Sequence, residues 1–151
     1  MDGTTNTSDE ASRRNPVWDA FAEQQESSDL AGLRILVVDD EDAIVELFAL
    51  MITALGGIPV RAAAVDEAKR KLAGGEGVDV VLTDLVMPGT TGRSFLTWLA
   101  IEHPWLPVVA MSGIPEQNDR AAEQPNVRTV LDKPFTPVEL VAAIRLAAPP
   151  A

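Results

Sequence analysis

The chain has 151 residues, 46% of them hydrophobic, and a formal net charge of −11 with a pI of about 4.4. This length predicts a single domain, and the acidity argues against nucleic-acid backbones and anionic membranes as partners. Cysteine is absent, which excludes a disulfide framework, a thiolate nucleophile and a cysteine-ligated zinc site.

Residues 1–32 differ in composition from the rest of the chain. They are rich in Ser, Thr, Asp, Glu and Gln, and their seven acids and two arginines give a local charge of −5, so we predict a disordered acidic leader. Within it, 16–22 could form a short helix with Trp18 and Phe21 on one face, either solvated and transient or used for docking. No basic-then-apolar leader and no bilayer-length apolar run is present, which predicts a cytoplasmic location.

Apolar runs of strand length alternate with amphipathic helical patterns over residues 33–148, which we take as the folded domain. The predicted strands are 34–38, 58–60, 78–82, 106–111 and 127–131, and the predicted helices are 41–55, 65–72, 91–102, 115–123 and 137–147. The last helix begins with a capping box, Thr136 to Glu139. Strict alternation predicts a doubly wound α/β fold with a five-stranded parallel sheet, commonly in the order 2-1-3-4-5.

A buried strand ends in a single carboxylate, Asp84, immediately before a turn that contains Pro88 and Gly89. Taken alone, Asp84 could simply cap that turn. Ligand sites of doubly wound sheets, however, lie at the carboxyl ends of the strands, where this residue is placed. Asp84 is therefore a candidate functional residue.

Polar side chains also follow the other predicted strands. Asp39 and Asp40 follow the first strand, Ser112 the fourth and Lys133 the fifth. Each has an ordinary explanation, as a helix N-terminal acid, a turn residue or a surface charge. Together, three carboxylates predict a hard cation, Mg²⁺ rather than zinc, and the hydroxyl and ammonium predict a bound phosphoryl group.

Four motifs in residues 33–148 resemble, in order and spacing, those of two-component response-regulator receiver domains. They are Leu36-Val37-Val38-Asp39-Asp40-Glu41, Thr83-Asp84-Leu85-Val86-Met87-Pro88 with Gly92, Met111-Ser112-Gly113, and Lys133-Pro134-Phe135. The last two are most similar to receivers attached to hybrid sensor histidine kinases. The resemblance implies a flavodoxin-like receiver fold and the role of a phosphoacceptor in a two-component phosphorelay.

The resemblance also implies roles for the acidic residues. Asp84 would take phosphate from a phosphohistidine of a sensor histidine kinase. Asp40, Asp84 and the Val86 carbonyl would bind Mg²⁺, and Asp39 would act on the metal largely through water. The reaction would therefore depend on Mg²⁺.

The same resemblance implies that Ser112 and Lys133 contact the phosphoryl oxygens and that the Lys133-Pro134 bond is cis. One departure concerns the relay of the signal. Many receivers have Tyr or Phe three residues before this lysine, where this chain has Val130. An aromatic switch coupled to Ser112 is therefore in doubt.

Only four residues follow the last predicted helix, including a tail at 149–151, which predicts a stand-alone receiver. It would bind a downstream protein or pass phosphate to a histidine phosphotransfer protein, and catalyse only its own phosphorylation and dephosphorylation. The alternative is a Mg²⁺-dependent phosphatase of the haloacid dehalogenase type, which also uses an Asp nucleophile. That class needs a second Asp two residues later, where this chain has Val86.

Overall fold

The computed structural model describes residues 29–87 and 90–148. In this part of the chain, a five-stranded parallel sheet has the order β2-β1-β3-β6-β7. Its strands are β1 (Arg34–Val38), β2 (Ile58–Ala62), β3 (Val80–Asp84), β6 (Val108–Ser112) and β7 (Val127–Asp132). Counted along the sheet alone, this is the predicted order 2-1-3-4-5, so the fold prediction is confirmed.

Each of these strands is followed by a helix, which gives five helices in the described residues. They are α1 (Asp42–Ala54), α2 (Val65–Ala73), α3 (Gly92–Glu102), α4 (Pro115–Ala121) and α5 (Pro137–Ala147). The predicted capping box of α5 is confirmed, because Thr136 Oγ1 accepts from the Glu139 N–H and Glu139 Oε1 accepts from the Thr136 N–H. None of the helices in the described ranges is long and apolar enough to cross a membrane.

The strand side chains alternate between two apolar cores, one on each face of the sheet. Ile35 and Val37 of β1 face a core with α1 and α5, whereas Leu36 and Val38 face a core with α2 and α3. Both cores are needed to cover the sheet, and β3 and β6, in its centre, are buried at every residue. The central strands therefore hold their carboxyl ends in a rigid frame.

A two-stranded antiparallel hairpin follows β3 and was not predicted from the sequence. It pairs β4 (Val86–Met87) with β5 (Thr90–Thr91). Helix α3 then begins at Gly92, where a Cβ atom would lie only 2.6 Å from the Leu85 Cα and carbonyl oxygen. Glycine is thus required for this close approach between α3 and the backbone after Asp84.

The folded unit begins before the predicted boundary at residue 33. Leu30 is fully buried in the core of α1 and α5, and its N–H donates to the Leu55 carbonyl at 2.9 Å. The prediction that 30–32 belong to a disordered leader is therefore wrong, because Leu30 fills core space beside Gly57. The predicted helix at 16–22 and the tail at 149–151 lie outside the described residues.

Candidate functional site at the carboxyl ends of the strands

Asp84 is the last residue of β3 and is 5% exposed. Its Oδ1 accepts from the Val86 N–H at 3.1 Å, and its Oδ2 lies 3.3 Å from Lys133 Nζ. Asp84 therefore does cap the following turn, as the simpler interpretation held. Its second oxygen, however, faces an open cleft at the end of the sheet.

The cleft has a volume of about 710 Å³. Its lining consists of Asp40, Glu41, Asp84, Val86, Met87, Gly113, Ile114 and Lys133. These residues follow β1, β3, β6 and β7, so the carboxyl ends of four parallel strands meet here, as the fold class predicts.

Three carboxylates converge on this cleft. One oxygen from each of Asp39, Asp40 and Asp84 lies within 4.8 Å of the others. Asp39 is fully buried, and its Oδ1 accepts from the Glu41 N–H at 2.9 Å, whereas its Oδ2 is buried without a hydrogen-bond partner. A buried carboxylate oxygen without a partner is costly unless a cation or water satisfies it.

The electrostatics of Asp39 follow from this position. Burial raises the pKa of Asp39 from 3.8 to about 6, and the charges of Asp84 and Asp40 add to the rise. The hydrogen bond from the Glu41 N–H and the charge of Lys133 oppose it. A divalent cation would favour the ionised carboxylate and so lower the pKa of Asp39 again, and this all-oxygen donor set fits a hard cation such as Mg²⁺.

Lys133 follows β7 and reaches across the cleft to Asp84. The Lys133-Pro134 peptide bond is cis, as the sequence resemblance implied. The Lys133 N–H donates to the Ser112 carbonyl at 3.0 Å, which joins the ends of β6 and β7. The ammonium group is therefore held beside the carboxylate by two strand ends rather than by a free surface loop.

Ser112 is the last residue of β6 and is fully buried. Its Oγ accepts from the Ile114 N–H at 2.9 Å and donates to Gln117 Oε1 at 3.2 Å. Ser112 is not one of the described residues that line the cleft. The structure thus places Ser112 at the predicted strand end, with its hydroxyl hydrogen turned towards α4.

Two amide side chains beside Ser112 were not predicted as site residues. Gln117 binds its hydroxyl, and the Asn118 Nδ2 donates to the Ser112 carbonyl at 2.9 Å and to Asp132 Oδ1. The only sequence signal was their position five and six residues after Ser112, in a helix with few apolar residues. This spacing alone does not show which side chains of the helix bind Ser112 at the end of β6.

The family model for the response regulator receiver domain matches residues 35–145. Over 115 residues the chain is 35% identical to the phosphate regulon transcriptional regulatory protein PhoB of Escherichia coli, covering 74% of this chain and 50% of PhoB. The chain therefore spans about half the length of that curated relative.

Solved structures give the same result. A response regulator receiver domain protein from Clostridium thermocellum is 27% identical, with a TM-score of 0.69 and coverage of 76% of this chain and 93% of that one. The response regulator TrrA from Thermotoga maritima, solved with Mg²⁺-BeF, is 25% identical, with a TM-score of 0.68 and coverage of 75% and 96%. The chain belongs to the response regulator receiver domain family.

Proposed function

We propose that Asp84 is the phosphoacceptor of this receiver and takes its phosphoryl group from a phosphohistidine of a sensor histidine kinase. The observation that carries the proposal is the meeting of three carboxylates within 4.8 Å of one another, with Lys133 Nζ 3.3 Å from Asp84. An anionic nucleophile beside a cation site and an ammonium group suits transfer of a charged phosphoryl group. Asp40, Asp84 and the Val86 carbonyl are the proposed Mg²⁺ ligands, with Asp39 acting through water.

In the proposed reaction, the Asp84 carboxylate oxygen forms a bond to phosphorus while the bond from phosphorus to the histidine nitrogen breaks. Mg²⁺, when bound, neutralises charge on the phosphoryl oxygens. Lys133 holds one phosphoryl oxygen through its ammonium group, and the Ser112 hydroxyl donates to another. The product is an acyl phosphate on Asp84, which later loses its phosphoryl group to water or to a histidine.

The proposed partners are therefore a sensor histidine kinase in the cytoplasm and either a histidine phosphotransfer protein or a downstream protein target. A haloacid dehalogenase type of phosphatase finds no support, because the position of its second Asp is taken by Val86, which is 46% exposed at the cleft. The net charge of −11 also makes nucleic acid and anionic membranes unfavourable partners.

Incubation with acetyl phosphate and Mg²⁺ should add one phosphoryl group, measured by intact mass and by reaction of the acyl phosphate with hydroxylamine. Asp84→Asn should abolish the uptake, and chelation of Mg²⁺ should do the same, because the clustered carboxylates then repel the incoming anion. Asp66→Asn, on α2 and away from the cleft, is the matched control. Uptake by Asp84→Asn at the wild-type level would refute the assignment.

A further inference from the structure

The hydroxyl of Ser112 is held by α4 rather than by the cleft. A hydroxyl has one hydrogen to donate, and here Ser112 donates it to Gln117 Oε1 at 3.2 Å while accepting from the Ile114 N–H at 2.9 Å. The Gln117 side chain is half-buried and covers a serine that has no exposed surface. In this arrangement the hydroxyl hydrogen is not available to a group on Asp84.

Asn118 attaches the same helical turn to the sheet in a second way. Its Nδ2 donates both to the Ser112 carbonyl at 2.9 Å and to Asp132 Oδ1, and the residue is only 4% exposed. These acceptors belong to the ends of β6 and β7. They lie on the backbone and on Asp132, so the Asn118 bonds do not require the Ser112 hydroxyl to have any particular rotation.

The two amides therefore differ in what a phosphoryl group would do to them. A phosphoryl oxygen on Asp84 is a charged acceptor and competes for the single hydroxyl hydrogen of Ser112 more strongly than the neutral Gln117 amide does. Donation to one acceptor excludes donation to the other. Asn118 has no part in this competition.

We propose that Gln117 is a positioning residue that holds the Ser112 hydroxyl away from Asp84 until a phosphoryl oxygen on Asp84 accepts the hydroxyl hydrogen instead. This inference rests on the proposed function of Asp84. Loss of the Gln117 bond frees the first turn of α4, while Asn118 keeps the helix attached to the sheet. The half-buried Val130 provides no aromatic ring for a switch coupled to Ser112, and the amide on α4 takes that role instead.

Coupling of this kind is reciprocal. If phosphorylation breaks the bond between Ser112 and Gln117, removal of the bond must favour the phosphorylated form. Gln117→Leu keeps most of the side-chain volume but removes the acceptor. A partner that pulls Gln117 outwards would likewise favour phosphorylation.

The test measures the affinity of the full chain for beryllofluoride in the presence of Mg²⁺, with binding followed by NMR. A single neutral hydrogen bond corresponds to a change of about 2–10-fold, so Gln117→Leu should bind about 2–10-fold more tightly than wild type. Its α4 amide signals should lie closer to the beryllofluoride positions before any ligand is added. Gln124→Leu, the same change beyond the end of α4, should leave the affinity and these signals unchanged.

A double-mutant cycle separates this role from a structural one. In a Ser112→Ala background, which has no hydroxyl to compete for, Gln117→Leu should no longer change the affinity. A persistent effect there, or unchanged affinity in the single variant, would overturn the proposal. Failure of the wild type itself to bind beryllofluoride would instead count against the proposed function of Asp84.

Discussion

Val86 and Ile114 line the same cleft as Asp84 and are 46% and 41% exposed. Neither side chain can hydrogen-bond to a water molecule lined up for attack on an acyl phosphate. Because positioning is most of what a protein contributes to phosphoryl transfer, we expect spontaneous hydrolysis to be slow. The lifetime of the signal would then depend on a partner.

The double variant Val86→Asn with Ile114→Glu should lose phosphate on the order of 10–100-fold faster than wild type, because it introduces side chains that can hydrogen-bond to the attacking water. A time course of phosphate loss from the purified phosphoprotein measures this. Val138→Asn with Ile101→Glu makes the same changes at exposed positions outside the cleft and should decay like wild type. Equal decay of all three proteins would show that these side chains do not limit hydrolysis.

Asp39 should reduce the stability of the metal-free protein. Its pKa is raised to about 6, so the folded state favours the protonated form of this carboxyl. The stability that depends on this proton is fully present below about pH 3.8 and is lost as the pH rises through 6. At 1.36 kcal/mol per pKa unit, ionised Asp39 costs up to about 3 kcal/mol. Asp39→Asn should therefore raise the free energy of unfolding near neutral pH by on the order of 1–3 kcal/mol.

Urea denaturation with a chelator present measures this effect. The gain should shrink at about pH 5, where the wild-type carboxyl is largely protonated in the folded state, and when Mg²⁺ is added. Asp119→Asn makes the same change at an exposed position and serves as the control. A variant no more stable than wild type near neutral pH would contradict the burial argument.

The main site residues could be predicted because each lies at the carboxyl end of a strand, and the fold class determines where strand ends meet. Asp39, Asp84 and Lys133 lie as that reasoning requires. The direction of the Ser112 hydroxyl could not be predicted, because it depends on a single amide from a short helix. The rotation of such a hydroxyl depends on contacts between different elements. The hydrophobic periodicity of a single segment carries no information about those contacts.

Helix α4 buries the fewest residues of the five helices in the described ranges. Over its seven residues it buries only Asn118 and Ala121, whereas α3 buries Gly92, Phe95, Leu96 and Leu99. A cavity of about 370 Å³, lined by residues of α3, α4 and the β3–β4 segment, lies beside it. Few buried apolar side chains and adjacent free space favour displacement of α4.

Phosphorylation should therefore shift an existing equilibrium at α4, β7 and α5. Hydrogen exchange of the free protein and of its beryllofluoride complex should differ over residues 113–135 and agree over α2, which packs beside β2 at the opposite edge of the sheet from β7. If protection over 113–135 is the same in both states, α4 is not the responsive element.

The prediction of element positions was accurate to a few residues where apolar periodicity was strong. Of the inward face that the sequence predicts for α1 (Ile44, Leu47, Phe48, Met51 and Leu55), the last three are buried, whereas Ile44 and Leu47 are only half-buried. The hairpin of β4 and β5 was missed, because two-residue strands have no period to detect. Such features arise from tertiary contacts rather than from local pattern.

The core of the domain includes Leu30, a residue from the segment before β1. Truncation to Asp29 should leave stability and phosphorylation unchanged. Truncation to Leu33 removes the fully buried Leu30 and should lower the free energy of unfolding by about 2–4 kcal/mol, as Leu30→Ala should in the full chain. Thermal or urea denaturation of the three proteins compares these costs. Equal stability of both truncations would show that Leu30 does not contribute.

The contact between Gly92 and Leu85 bears on the mechanics of the domain. Because the backbone of α3 at Gly92 lies against the backbone of Leu85, an added methyl group would have no space there, and α3 resists movement towards the segment that follows Asp84. On the opposite flank, α4 rests on amide hydrogen bonds beside free space. An added phosphoryl group should therefore displace α4 more than α3. The structural change then spreads from the site through α4, because that side of the domain yields more easily.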